Sequence, residues 1–201
     1  MKHALIDKHP IISDQVDARE LSVILAMCER ALSQTDRGAF VEFGCYEGTT
    51  SLFIARLLHK ENREFHVYDS FAGLPDKQHQ DISPAGEQFK PGELLATKKS
   101  FIAHFKKAGL PLPVIHKGWF SDVTEHDVPD QIALAFLDGD YYRSIMDPLQ
   151  LVWPRLVPGA IVVVDDYQNE ALPGARRAVD DWLKSHSAEL RVEASLAILK
   201  T

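Results

Sequence analysis

Apolar positions recur along the chain in two rhythms, and each rhythm predicts an element. From Ala18 to Ser33, Leu21, Ile24, Leu25, Cys28 and Leu32 fall at helical spacing, which predicts an amphipathic helix. Gly38 to Gly44 (GAFVEFG) is a short apolar run closed by a glycine turn and reads as a buried strand. Thr49 to Lys60 returns to helical rhythm, with Phe53, Ile54, Leu57 and Leu58 on one face. Glu64 to Asp69 (EFHVYD) alternates and ends on an acid, a second strand. Phe71 to Gly92, rich in Pro, Gly, Asp and Gln, predicts a long loop over a site. Glu93 to Ala108 is a helix stopped by Gly109. Leu112 to His116 gives a third strand, and Ile132 to Asp138 (IALAFLD) a fourth. The next helix ends near Trp153, with Pro148 either in its first turn under an Asp147 cap or as a kink. Pro158-Gly159 turns the chain into a fifth strand, Ala160 to Asp165. Ala175 to Ser185 is helical, and Leu190 to Lys200 supplies one or two closing strands.

Strands alternating with helices place the chain in the α/β class, with right-handed crossovers and a mostly parallel sheet covered on both faces. A length of 201 residues suits one domain, residues 1–201, with 1–36 as an N-terminal helical segment. Ligands of such sheets bind outside the carboxyl ends of the strands. Four of the predicted strand ends carry acids: Glu42, Asp69, Asp138 and Asp165.

Composition narrows the partners. The net charge of −7 argues against a broad nucleic-acid footprint, which needs clustered Lys and Arg. Lys98-Lys99 and Lys106-Lys107 fit a solvated helix face. No apolar stretch has the length of a membrane span, and the N-terminus carries no signal-peptide block. Cys28 and Cys45 provide no disulfide framework, so a reducing cytoplasm is the expected compartment.

The turn VEFGCYEGTT departs from a dinucleotide fingerprint: its glycines are Gly44 and Gly48, with bulky Tyr46 between them. Glu42 would repel a diphosphate, so a ligand without phosphates and with positive charge suits the turn better. S-adenosylmethionine carries a sulfonium, an ammonium and a ribose, and Asp69 is placed like a ribose-gripping carboxylate. Further on, Asp138 and Asp140 follow the fourth strand, and Asp165 and Asp166 the fifth. On neighbouring strands about 5 Å apart these carboxylates could converge on a hard cation such as Mg²⁺. Capping of helices by Asp140 and Asp166 is the alternative. A cation lowers the pKa of a hydroxyl, a carboxylate can then take the proton, and in-line methyl transfer gains from alignment.

In order, the motifs VEFGCYEGTTS, VYDSFAGLP, KGWFSDV, FLDGDYYRSI, PRLVPGAIVVVDDY and GARRAVDDWL resemble the macrocin O-methyltransferase family from about Phe40 to Leu183. The resemblance implies a three-layer Rossmann-like methyltransferase fold with an antiparallel C-terminal strand. It implies Mg²⁺-assisted methylation of a small-molecule hydroxyl, on a sugar of a natural product. Asp138, Asp165 and Asp166 match the metal ligands, and Asp140 the base that takes the hydroxyl proton, with Asp138 beside it at the catalytic centre. Glu42, Gly44, Tyr46, Gly48, Asp69 and Ser70 match cofactor-binding segments, and Trp119 and Phe120 would lie near the adenine. Catechol O-methyltransferases are similar in having three metal-binding acids on this fold. Arg143 and Ile145 stand where the family usually has a glutamate and a threonine.

Among bland readings, His79 fits a solvated loop histidine and Cys45 a small packing residue. Phe71, Trp119 and Phe120 fit site walls and core packing equally. Three functions stay open: a metal-dependent O-methyltransferase, a metal-independent methyltransferase, and a non-catalytic nucleotide-binding module. Homo-oligomerisation is left open as well.

Overall fold

A computed structural model of the chain describes residues 3–86 and 89–200. Glu87 and Gln88, inside the predicted 71–92 loop, lie outside the described residues, as do Met1, Lys2 and Thr201. The short helix α1 (Ala4–Lys8) and α2 (Ala18–Gln34) precede the first strand. Then follow β1 (Ala39–Phe43), α3 (Thr49–Leu58), β2 (Phe65–Asp69), α4 (Lys98–Ala108) and β3 (Val114–Lys117). The second half comprises β4 (Ile132–Leu137), α5 (Tyr142–Val152), β5 (Leu156–Val164), α6 (Pro173–Leu183), β6 (Glu189–Glu193) and β7 (Leu196–Lys200).

The sheet runs β3-β2-β1-β4-β5-β7-β6. The pairs from β3 to β5 are parallel, whereas β7 runs antiparallel to β5 and β6 antiparallel to β7. The C-terminal stretch therefore forms two strands, turning at Ala194 and Ser195 with φ of 51° and 67°. Side chains alternate between two cores with the two-residue period of a strand. Phe40, Val67, Leu134, Phe136 and Val163 pack under α2, α3 and α4. Val41, Phe43, Ala135, Leu137 and Val162 pack under α5 and α6. With both faces covered, β4 is buried at every position, which explains its unbroken apolar run IALAFL. Truncating a residue such as Phe136 to alanine there costs about 3–5 kcal/mol.

Some boundaries differ from expectation for local reasons. The helix expected from Glu93 starts at Lys98, because Thr97 caps it by accepting the Ser100 N–H at 3.1 Å. Helix α5 starts at Tyr142, so Pro148 lies well inside it and Asp147 is no cap; Asp147 pairs with Arg143 at 2.6 Å. Pro158-Gly159 belongs to β5, in an irregularity where pairing jumps from Ile132–Leu156 to Leu134–Ile161. Within 1–36, α1 is a short helix separate from α2, and its Ile6 packs with Leu21, Leu25 and Phe53. Because β2 and β4 flank β1 on opposite sides, the crossovers diverge at β1 and open a crevice at its carboxyl end.

Candidate active site

The crevice begins with the turn after β1. Gly44 has φ 92°, and an added Cβ would stand 1.8 Å from the Asp138 carbonyl oxygen, so only glycine fits. Asp69, at the end of β2, clamps this turn: its Oδ2 accepts the N–H groups of Cys45 at 2.8 Å and Tyr46 at 3.3 Å. Its Oδ1 accepts the Phe71 N–H at 2.7 Å, so the same side chain also fixes the start of the long loop. Ser70 accepts the Ala72 N–H at 3.0 Å and donates to the Gly73 carbonyl at 3.1 Å.

Glu42 lies elsewhere. It is fully buried on the α2/α3 side of the sheet, hydrogen-bonded by the Ser51 hydroxyl, and does not line the crevice. Burial raises its pKa to about 8, against the pull of Ser51, so the group is largely neutral near pH 7. Repulsion of a diphosphate is therefore not its contribution. Gly48 is likewise outside the lining; with φ 88° it stands at the N-cap of α3. Burial and nearby carboxylates, Asp69 first, push the Cys45 thiol well above its usual range, which leaves it a packing residue.

Opposite the turn, Asp138 donates its N–H to the Phe43 carbonyl at 2.8 Å, and Asp165 to the Leu137 carbonyl at 2.9 Å. These bonds keep the ends of β1, β4 and β5 in step and bring the acids of both strand ends together. Asp140 and Asp165 are buried, while Asp138 and Asp166 are partly open. Desolvation raises the pKa of all four. Mutual repulsion adds to it, from Asp165 and then Asp140 on Asp138, and from Asp166 on Asp140 and Asp165. Asp140 and Asp166 both stand in the left-handed region, with φ of 63° and 57° respectively. Neither caps a helix: the N-caps of α5 and α6 are Tyr141 and Leu172.

Among the described residues, no ion pair with Lys, Arg or His offsets these four carboxylates. An all-carboxylate donor set suits a hard cation. The side chains are not gathered as a finished ligand set, however: among the described residues no three His, Cys, Asp or Glu groups stand in metal-holding geometry.

Turn and acids face each other across a cavity of about 620 Å³, the size of a small-molecule site. Of the expected site residues, Gly44, Tyr46, Asp69, Ser70, Trp119, Phe120, Asp138, Asp140, Asp165 and Asp166 line it. Trp119 is 38% exposed, and Phe120 meets Phe43 edge-on at 5.4 Å. Sequence reasoning missed the wall built by Asp14, Gln15 and Glu20, and the loop residues Leu74, Asp81 and Leu94. Glu20 was readable only as part of a helix capping box with Asp17; its Oε1 also accepts the Ser195 hydroxyl at 2.8 Å, fastening α2 to the β6–β7 turn. No helix among the described residues is long and apolar enough to cross a membrane.

This strand order, with its glycine turn and acid-lined crevice, is that of a class I methyltransferase domain. The macrocin-O-methyltransferase (TylF) family model matches residues 7–194, and the chain belongs to this family. It is 30% identical over 176 residues to the 8-demethyl-8-(2,3-dimethoxy-alpha-L-rhamnosyl)-tetracenomycin-C 4'-O-methyltransferase of Streptomyces olivaceus, covering 83% of this chain and 66% of that protein. It is 27% identical over 190 residues to the mycinamicin III 3''-O-methyltransferase of Micromonospora griseorubida, covering 90% and 74%. Among solved structures, the O-methyltransferase NovP superposes with a TM-score of 0.76 at 26% identity, over 90% of this chain and 78% of that one. The chain thus spans about two thirds to three quarters of its curated relatives' length.

Proposed function

We propose that the chain transfers a methyl group from S-adenosylmethionine to a hydroxyl of a small molecule, a sugar of a natural product, with Mg²⁺ assistance. One observation carries the reading: a glycine turn clamped by Asp69 faces four crowded carboxylates across a single cavity. Membership of a family of O-methyltransferases supports the reaction type, and two relatives named for a rhamnosyl-tetracenomycin and for mycinamicin III support the acceptor class.

In this reading Gly44, Tyr46, Asp69 and Ser70 hold the donor, and Trp119 and Phe120 wall its adenine. Glu42 and Gly48 shape the turn from beneath rather than touching the ligand. Asp138, Asp165 and Asp166 would hold Mg²⁺, which supplies charge neutralisation and lowers the pKa of a bound hydroxyl. Asp140 takes the hydroxyl proton as the C–O bond forms and the C–S bond of the sulfonium breaks. Desolvation by burial, then the charge of Asp166, raises the Asp140 pKa, so cationic ligands beside it would ease its ionisation to the carboxylate that accepts the proton.

Calorimetry with S-adenosylmethionine, with and without Mg²⁺ and in two buffers of different ionisation heat, tests this directly. Donor binding, Mg²⁺ uptake and buffer-dependent proton release are expected, followed by labelled-methyl transfer to glycosylated acceptors. Absence of donor binding overturns the proposal. Donor binding and turnover indifferent to Mg²⁺ leave a metal-independent methyltransferase.

A further inference from the structure

The long loop between β2 and α4 is fastened at both ends. Its neck closes through Leu74 N–H to the Glu93 carbonyl and Gly92 N–H to the Leu74 carbonyl, each 2.9 Å. Its tip, a 3-10 turn at His79–Asp81, is sewn to the far side of the cavity. Arg177 of α6 donates to the carbonyls of Gln80 and Ile82, on either side of Asp81, and the Ser83 hydroxyl donates to the Glu170 carbonyl at 2.6 Å.

Asp81 sits in the middle of this seam, 3% exposed. Its Oδ2 accepts the Gln78 N–H of its own turn at 2.8 Å, and its Oδ1 accepts the Tyr142 N–H at 2.7 Å. Helix α5 has no side-chain cap from its own N-cap residue, Tyr141. Asp81 therefore satisfies one of the orphan N–H groups at the start of α5 from a distant part of the chain. The junction has no slack: a Cβ on Gly174 would stand 2.0 Å from Asp81 Oδ1 and 2.6 Å from the Tyr142 nitrogen. Just before Tyr141 comes Asp140 with its φ of 63°. Such a conformation costs about 1–3 kcal/mol and persists only where its surroundings fix it.

We propose that Asp81 is a positioning residue that couples the seating of the 74–93 loop to the placement of Asp140. The catalytic half of this inference rests on the O-methyltransferase reading; the structural coupling stands without it. Unseating the loop would free the first turn of α5, and the Asp140 turn would relax with it. The loop would then set the base as well as cover the site.

The test is hydrogen exchange and steady-state kinetics on Asp81→Ala and Asp81→Asn. In Asp81→Ala, the amides of 78–83 and of 138–144, Tyr142 foremost, should lose protection together. Methyl transfer should slow in kcat by roughly tenfold to a hundredfold, as expected for a misplaced catalytic group, while the donor KM moves less than about twofold. Asp81→Asn can still accept from Tyr142 N–H, so it should keep protection there and recover part of kcat. Loss of protection in the loop with 138–144 unchanged would overturn the coupling, as would wild-type kcat in both variants. If Asp81→Ala does not fold, the exchange pattern of Asp81→Asn decides: Tyr142 deprotected with the loop still seated refutes it. A wild type that binds no donor would sink the enzymatic reading and leave the exchange result intact.

Discussion

Gly44 and Asp138 are packed so that the backbone of one occupies the space a side chain would need on the other. An added Cβ on Gly44 would stand 1.8 Å from the Asp138 carbonyl oxygen, and φ at Gly44 is 92°. The close approach sets the spacing between the glycine turn and the acid cluster. Gly44→Ala must therefore strain the turn, displace Asp138, or both. A loss of at least about 3 kcal/mol is expected from combined strain and overpacking. Urea unfolding measures it, and a loss below about 1 kcal/mol would mean that the two strand ends slide freely.

The Asp69 carboxylate serves the fold through Cys45, Tyr46 and Phe71 and, in the proposed reading, the donor ribose as well. Hydrogen bonds to a charged acceptor contribute about 1.5–3 kcal/mol each. Asp69→Ala should thus weaken S-adenosylmethionine binding by roughly tenfold to a hundredfold, read by titration calorimetry. Asp69→Asn, with one acceptor oxygen left, should fall between. Unchanged affinity in Asp69→Ala would reduce the residue to a structural clamp.

Much of this frame is legible because the strands are apolar runs that end abruptly on acids. Asp69, Asp138 and Asp165 follow from that pattern, and the register of β4 with β5 places the last two side by side. Glu42 shares the pattern, but strand alternation puts it with Phe40 on the α2 side, and its neighbours Val41 and Phe43 on the other. That alternation was available in the sequence and outweighs its nearness to the turn. Asp81 was not legible: its partner Tyr142 lies 61 positions away, and no local rhythm connects them. The wall at Asp14, Gln15 and Glu20 is hidden for the same reason, since only the docking of α2 on the β6–β7 turn brings it to the cavity.

Burial of Glu42 has a pH signature. Its folded pKa, about 8, is above the ordinary value of 4.5, so ionisation favours the unfolded chain. The penalty is absent below the unfolded pKa, grows as pH rises from there, and levels off above the folded value. At pH 7 it amounts to about 3 kcal/mol. Glu42→Gln keeps the shape and the Ser51 partner without the charge. It should be more stable than wild type at pH 7, by up to that amount, and equal to it near pH 4. A stability gap that does not vary between pH 4 and pH 8 would show that the carboxyl finds a partner when ionised.

The acid cluster obeys the same sign in the absence of cations, because burial raises Asp138, Asp140, Asp165 and Asp166, and repulsion within the cluster adds to it at the first three. Metal-free protein should lose stability as pH rises out of the ordinary carboxylate range, and a cation that binds the cluster should restore it. At a hundred times its dissociation constant, Mg²⁺ would add about 2.7 kcal/mol to the folded state. Asp165→Asn removes one buried negative charge, so the metal-free variant should melt above wild type at pH 7.5 while losing the increment with Mg²⁺. Methyl transfer should fall in that variant even as stability rises, the opposite directions expected of a site strained for function. Scanning calorimetry of both proteins, with chelator and with Mg²⁺, checks the stabilities, and a labelled-methyl assay checks the activity. An Asp165→Asn variant that is less stable than wild type without metal, yet gains equally from Mg²⁺, would place the cation elsewhere.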